Sequence, residues 1–124
     1  VIRGIRGAIT VKDNTEREIV ASAGRVISEL ISKNKINPEK VASVFISVTE
    51  DLTAAFPAKA LRSFPGWSHV PVMCMKEIPV PSSLAMCIRV MLHVDTEMAQ
   101  EEVKHVYMGG AKGLRPDLLE KSPS

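Results

Sequence analysis

The stretch His69–Val94, HVPVMCMKEIPVPSSLAMCIRVMLHV, decides how the rest of the chain is read. Two apolar runs are joined there by a Pro/Ser-rich connection, with Cys74, Glu77 and Arg89 set among Val, Ile, Leu and Met. Over Met86–Val94 a period of two predicts a strand with Ile88, Val90, Leu92 and Val94 on one face. Cys87, Arg89, Met91 and His93 fall on the other. An arginine inside a strand apolar on both faces is costly unless something anionic meets it. That anion is either a carboxylate of the protein itself or a bound ligand, and the residue types leave both open.

At 124 residues the chain is read as one domain, residues 1–118, followed by a flexible C-terminal tail, residues 119–124. With 45% hydrophobic and 24% charged residues the composition is that of a soluble globular protein. A net charge of only +2, with scattered basic residues and 4% aromatics, argues against a nucleic-acid partner. No apolar run reaches the length of a membrane span, and the start, VIRGIRGAIT, does not read as a signal peptide. Two cysteines without metal-ligand spacing suggest a reduced, cytoplasmic protein.

Working outward, Val1–Val11 has the β-branched content of a strand, with Gly4, Arg6 and Ala8 on one face and Arg3, Ile5 and Ile9 on the other. Arg6 thus stands between two small side chains, which leaves room for a ligand; a surface ion pair is the plainer alternative. Asp13-Asn14 signals a turn, and Thr15-Glu16-Arg17-Glu18 fits a capping box. Ile19, Ala23, Val26, Ile27, Leu30 and Ile31 then recur at helical spacing to about Asn34, which predicts a long amphipathic helix laid on a sheet. Asn37-Pro38 opens a helical turn. Val41–Thr49 reads as a buried strand ended by Glu50-Asp51. From Phe56-Pro57 to Phe64 a short helix is expected, on which Lys59 and Arg62 share a face. They are either a pair of cations for a carboxylate or a solvated helix face. Pro65-Gly66 turns the chain into the central stretch. After Val94 the polar run to Glu102 predicts a loop and a helical turn, and Lys104–Met108 a last short strand carrying Tyr107. Gly109, Gly110 and Gly113 loosen the chain after that strand, and Leu114–Leu118 is read as packing back on the body. The fold class is α+β: a mixed β-sheet with one long and one short helix packed on it.

No phosphate-binding glycine loop, HExxH, GxSxG or CxxC is present. His69, His93 and His105 lie in separate segments and are read as satisfied or exposed. Cys74 is a candidate nucleophile without a recognisable base, and a small buried hydrophobe is the alternative for either cysteine. There remain arginines on strands, one carboxylate, Glu77, at the end of an apolar strand, and Tyr107 on another. Such a set suits binding and polarising a small polyanion better than proton or group transfer. Glu77 neutralising an arginine within the protein is the competing reading.

Six segments together resemble the monofunctional chorismate mutases of the trimeric α/β-barrel class, as opposed to the all-helical class. They are IRGIRGAITV at Ile2–Val11, FPAKALR at Phe56–Arg62, GW..VPV.CM.E at Gly66–Glu77, CIRVM at Cys87–Met91, HVY at His105–Tyr107 and LRPDL at Leu114–Leu118. The resemblance implies rearrangement of chorismate to prephenate in phenylalanine and tyrosine biosynthesis. It implies no cofactor and no metal, and a homotrimer, three subunits forming a pseudo-α/β-barrel with an active site at each subunit interface. It gives Arg89 the ether oxygen, Arg6 and Tyr107 a substrate carboxylate, and Glu77 and Cys74 the ring hydroxyl. Phe56, Ala58, Val72 and Leu114 become walls, and Lys59, Arg62 and Arg115 cations at the rim. Cys74 and Glu77 are three apart, so for both to face one pocket the strand must bulge or end between them. Met73 stands beside the substrate where threonine is common, and Ser82-Ser83 replaces a glycine-rich turn. Two rival readings are an imine or enamine deaminase of related fold and a non-catalytic trimer that binds an aromatic-pathway metabolite.

Overall fold

Five strands and one long helix organise residues 1–113, the part of the chain that the computed structural model describes. In order they are β1 (Ile2–Thr10), α1 (Glu16–Asn34), β2 (Val41–Val48), β3 (Val72–Lys76), β4 (Cys87–Asp95) and β5 (Val106–Met108). Short 3₁₀ turns occupy Pro38–Lys40, Pro57–Ser63, Gln100–Glu102 and Gly109–Gly113. The strands form one mixed sheet in the order β3-β2-β4-β1-β5. β4 runs antiparallel to both β1 and β2, so those two are parallel with β4 between them and α1 as their crossover, a split βαβ unit. β3 and β5 add parallel strands at the two edges. The two apolar runs of the central stretch are therefore not neighbours, since β2 lies between them.

Thr15 caps α1 by accepting a hydrogen bond from the Glu18 N–H, which satisfies one of the helix's unpaired donors. Ile19, Ala23, Val26, Ile27 and Leu30 form the buried stripe that the periodicity predicts, and they pack on Ile5 and Ile9 of β1 and on Ile88, Val90 and Leu92 of β4. The helix comes so close to β1 that a Cβ on Gly7 would sit 2.7 Å from Leu30 Cδ1. Among the described residues only one face of the sheet is covered in this way. Among the described residues no helix is long and apolar enough to cross a membrane.

Several expectations are corrected by the structure. β2 is buried on one face only: Val44 and Ile46 are inside, while Phe45 on the opposite face is exposed. The short helix is a 3₁₀ turn over Pro57–Ser63, capped by backbone alone. The last strand begins at Val106, because the Lys104 backbone is paired instead with the Asn34 side chain, in both directions at 2.8 Å. Gly109–Gly113 is an ordered turn: Gly110 N–H donates to Thr10 Oγ1 at 2.9 Å. Gly109 there has φ +58°, and a Cβ on it would meet Thr10 Oγ1 at 2.6 Å. Ser82 adopts a positive φ of 67° without being glycine. Leu114–Leu118 and the tail 119–124 lie outside the described residues.

Candidate active site

Alternation along each strand sends one set of side chains away from α1, and the register aligns them across the sheet. Tyr107, Ala8, Arg89, Ser47 and Met75 form a single cross-strand row, and Arg6, Met91 and Phe45 the adjacent one. These residues line a cavity of about 290 Å³. Ala8 lines this cavity beside Arg6, whereas the place of a Cβ on Gly4 lies 3.4 Å from Met91 Sδ, so the space expected between the two small residues is present on the Ala8 side. His105 fixes the backbone there, its Nδ1 accepting from the Arg6 N–H at 2.9 Å.

Glu77 stands one residue past the end of β3, where its N–H still donates to Val48 O at 2.8 Å. Its side chain therefore points to the same face as Met75, toward Arg89. Glu77 Oε2 lies 3.1 Å from Arg89 Nε, with side-chain exposures of 28% and 42%. The same oxygen accepts from Ser47 Oγ at 3.3 Å, while Oε1 accepts from the Ile78 N–H at 3.0 Å. Although the pair is close, the Arg89 Nε–H is not directed at the carboxylate, and this buried atom has no hydrogen-bond acceptor among the described residues. The Tyr107 hydroxyl is likewise buried without a hydrogen-bond partner among the described residues. Arg89 thus meets an internal acid, the first of the two options left by its sequence, and also lines a cavity.

A second group gathers elsewhere. Phe56, Ala58, Lys59, Arg62, Val72, Met73 and Cys74 line a depression of about 790 Å³ at the β3 edge of the sheet. Cys74 pairs with Ile46 and packs against the core on the α1 side, opposite to Glu77. β3 carries no bulge and ends at Lys76, yet Glu77 keeps the alternation through its bond to Val48, so among the described residues of one chain Cys74 and Glu77 face opposite ways. Lys59 is tied to Glu16 of α1, and this bond, with the lysine's charge, holds the Glu16 carboxyl below its ordinary range. Leu114 and Arg115 lie outside the described residues. Cys87, beside Arg89, is fully buried; burial pushes its thiol up, against the opposing pull of the arginine's charge. Among the described residues no three His, Cys, Asp or Glu side chains lie close enough to hold a metal ion.

The sequence reading missed Ser47, Phe45, Met75 and Met91. Alternation within VASVFISV already separates Phe45 and Ser47 from Val44 and Ile46. Their alignment with Arg89 is a matter of register, which strand composition does not encode.

Residues 2–118 match the profile of the family described as chorismate mutase type I. The chain belongs to the type I chorismate mutase family. Chorismate mutase AroH of Bacillus subtilis is 47% identical over 118 residues, covering 95% of this chain and 93% of that protein. The AroH of Thermus thermophilus is 44% identical over 119 residues, covering 95% and 97%. Among solved structures, a chorismate mutase from Clostridium thermocellum superposes with a TM-score of 0.86 at 49% identity, covering 89% of this chain and 97% of that one. Membership of this family sets aside the deaminase reading.

Proposed function

We propose that this chain holds chorismate against Arg89 and lowers the barrier to its rearrangement by positioning and charge. It is a chorismate mutase, an isomerase that converts chorismate to prephenate in aromatic amino-acid biosynthesis. The rearrangement breaks the ether C–O bond as a C–C bond forms within the same molecule, and no proton or group is exchanged with the protein. Catalysis then reduces to two tasks: holding the compact diaxial conformer, and stabilising the charge that separates as the ether bond breaks.

The observation that carries the site assignment is a pair of buried polar atoms without a hydrogen-bond partner among the described residues, Arg89 Nε and Tyr107 Oη, beside a cavity that also takes Arg6. Buried polar groups are ordinarily paired, so these fit a ligand rich in oxygen acceptors. In this reading Arg89 donates to the ether oxygen, Arg6 and Tyr107 hold a carboxylate, and Glu77 accepts from the ring hydroxyl beside the carbon that becomes electron-poor. Removing a single neutral oxyanion donor costs about 2.7–4 kcal/mol of barrier. Arg89→Ala is therefore expected to lower kcat by at least roughly a hundredfold without unfolding the chain. The assay follows the loss of chorismate's ultraviolet absorbance and identifies prephenate as product. Near-normal kcat in the variant would defeat the assignment, and binding without conversion by the wild type would favour the non-catalytic reading.

The rest of the expected site is best supplied by a second copy. Cys74, Phe56, Ala58, Lys59, Arg62 and Val72 form a half-site that one chain turns away from Arg89, while Met73, also at that edge, continues the Arg6–Met91–Phe45 row on the other face. Phe56 at 75% and Met73 at 60% exposure, with Phe45 and Met75 on the uncovered sheet face, are large apolar groups of the kind that interfaces cover. A closed ring of three chains, each half-site meeting the complementary half of a neighbour, satisfies both observations. The two free thiols fit a reducing compartment such as the cytoplasm.

A further inference from the structure

Ser47 shares the cross-strand row of Arg89, and its hydroxyl donates to Glu77 Oε2 at 3.3 Å, the oxygen that stands 3.1 Å from Arg89 Nε. A glutamate just past the end of an edge strand keeps several free torsions, and ordering it costs conformational entropy. The guanidinium attracts the carboxylate at 3.1 Å but gives it no hydrogen bond through Nε, so this charge contact alone does not fix its orientation. Two hydrogen bonds fix it: Ser47 on Oε2 and the Ile78 N–H on Oε1.

We propose that Ser47 is a positioning residue, whose hydroxyl holds the Glu77 carboxylate beside Arg89 without letting the two close into a forked pair. The proposal rests on the reading of Arg89 and Glu77 as groups that meet the substrate. A carboxylate and a guanidinium left to themselves prefer the bidentate arrangement. That arrangement would take up the donors Arg89 offers to the ether oxygen and the acceptor Glu77 offers to the ring hydroxyl. Without Ser47 the carboxylate either closes onto Arg89 or swings away, and both outcomes withdraw a group from the reacting atoms. Ser47 thus acts through Glu77 and needs no substrate contact of its own.

The test measures kcat and KM for chorismate, with thermal unfolding, for S47A, S47T, S47V, E77Q and S47A/E77Q. S47A is expected to lower kcat roughly tenfold or more, the loss typical of a hydrogen bond to a charged group, with KM little changed and unfolding near that of the wild type. In the E77Q background the same substitution should add little, because the coupling runs through the carboxylate. S47T should restore most of the activity and S47V should not, although the two differ only in the hydroxyl. This pair decides the matter if E77Q turns over too slowly to follow. Equal effects of S47A in both backgrounds, or equal activity of S47T and S47V, overturn the role of Ser47. An active Arg89→Ala variant would instead remove the site reading beneath it, so the two failures are distinguishable.

Discussion

Replacing Arg89 by lysine separates charge from shape. Lysine keeps the positive charge but loses the planar fork, and its ammonium cannot reach the ether oxygen and remain beside Glu77 in the same geometry. Arg89→Lys is expected to keep the fold and remain far below wild-type kcat, which steady-state kinetics with chorismate will show. The two thiols give a second contrast. Cys87 is fully buried and its thiol is pushed up by burial, whereas Cys74 is half-buried and lines the depression at the β3 edge. Thiolate is the reactive form, so iodoacetamide is expected to label Cys74 well before Cys87 in the folded protein, as peptide mass spectrometry can read. The raised pKa also fixes a sign. Folded Cys87 holds its proton to higher pH than unfolded Cys87, so its stabilisation is complete below the ordinary thiol value near 9.0 and is lost as pH rises beyond it. Over roughly pH 8 to 10 the thermal midpoint of the wild type should therefore fall more steeply than that of Cys87→Ala.

Between α1 and β5 the decisive link is Asn34. Its amide donates to Leu30 O and Lys104 O, and its carbonyl accepts from the Lys104 N–H, so a helix-end side chain substitutes for one rung of a sheet. That rung delivers the chain into the strand that carries Tyr107. Asn34→Leu removes these bonds, at about 1–3 kcal/mol for a buried polar group that loses its hydrogen bond. Denaturant unfolding should show a loss of that order, and KM for chorismate should rise as Tyr107 loses its support. At the start of β4, Thr49 and Asp51 play a comparable part. Thr49 Oγ1 accepts from the Cys87 N–H at 2.9 Å, and Asp51 accepts from the Met86 N–H at 3.0 Å, holding Met86 at φ +52°. The strand therefore enters the sheet in a fixed register two residues before Arg89.

Across the whole molecule, one sheet carries two groups of charged side chains that face different ways. Arg6, Glu77, Arg89 and Tyr107 meet on the face uncovered by α1, while Lys59, Arg62 and Cys74 meet at the β3 edge. If sites form between copies, two defective variants should repair each other. Arg89→Ala and the double variant Lys59→Ala/Arg62→Ala are each expected to be poor at subsaturating chorismate. Denatured together and refolded, they should regain activity corresponding to roughly a quarter of the sites, the fraction in which both intact halves meet on random assembly. Recovery no greater than the sum of the separately refolded variants would place the complete site within one chain. Sedimentation of the wild type gives the number of copies directly.

Much of this was legible from local pattern. The periodicity of Ile19–Ile31 identified α1 and its buried stripe, the alternation of Met86–Val94 placed Arg89 opposite Ile88 and Val90, and the six family segments named the reaction. These come from the sequence because helix and strand periods, and short charge-bearing segments, are properties of neighbouring residues. Only the tertiary structure decided that β2 separates β3 from β4, that Ser47 aligns with Arg89, and that Cys74 turns from Glu77. Each of these depends on which strands pair and in what register, and pairing is chosen by contacts between residues far apart in the chain.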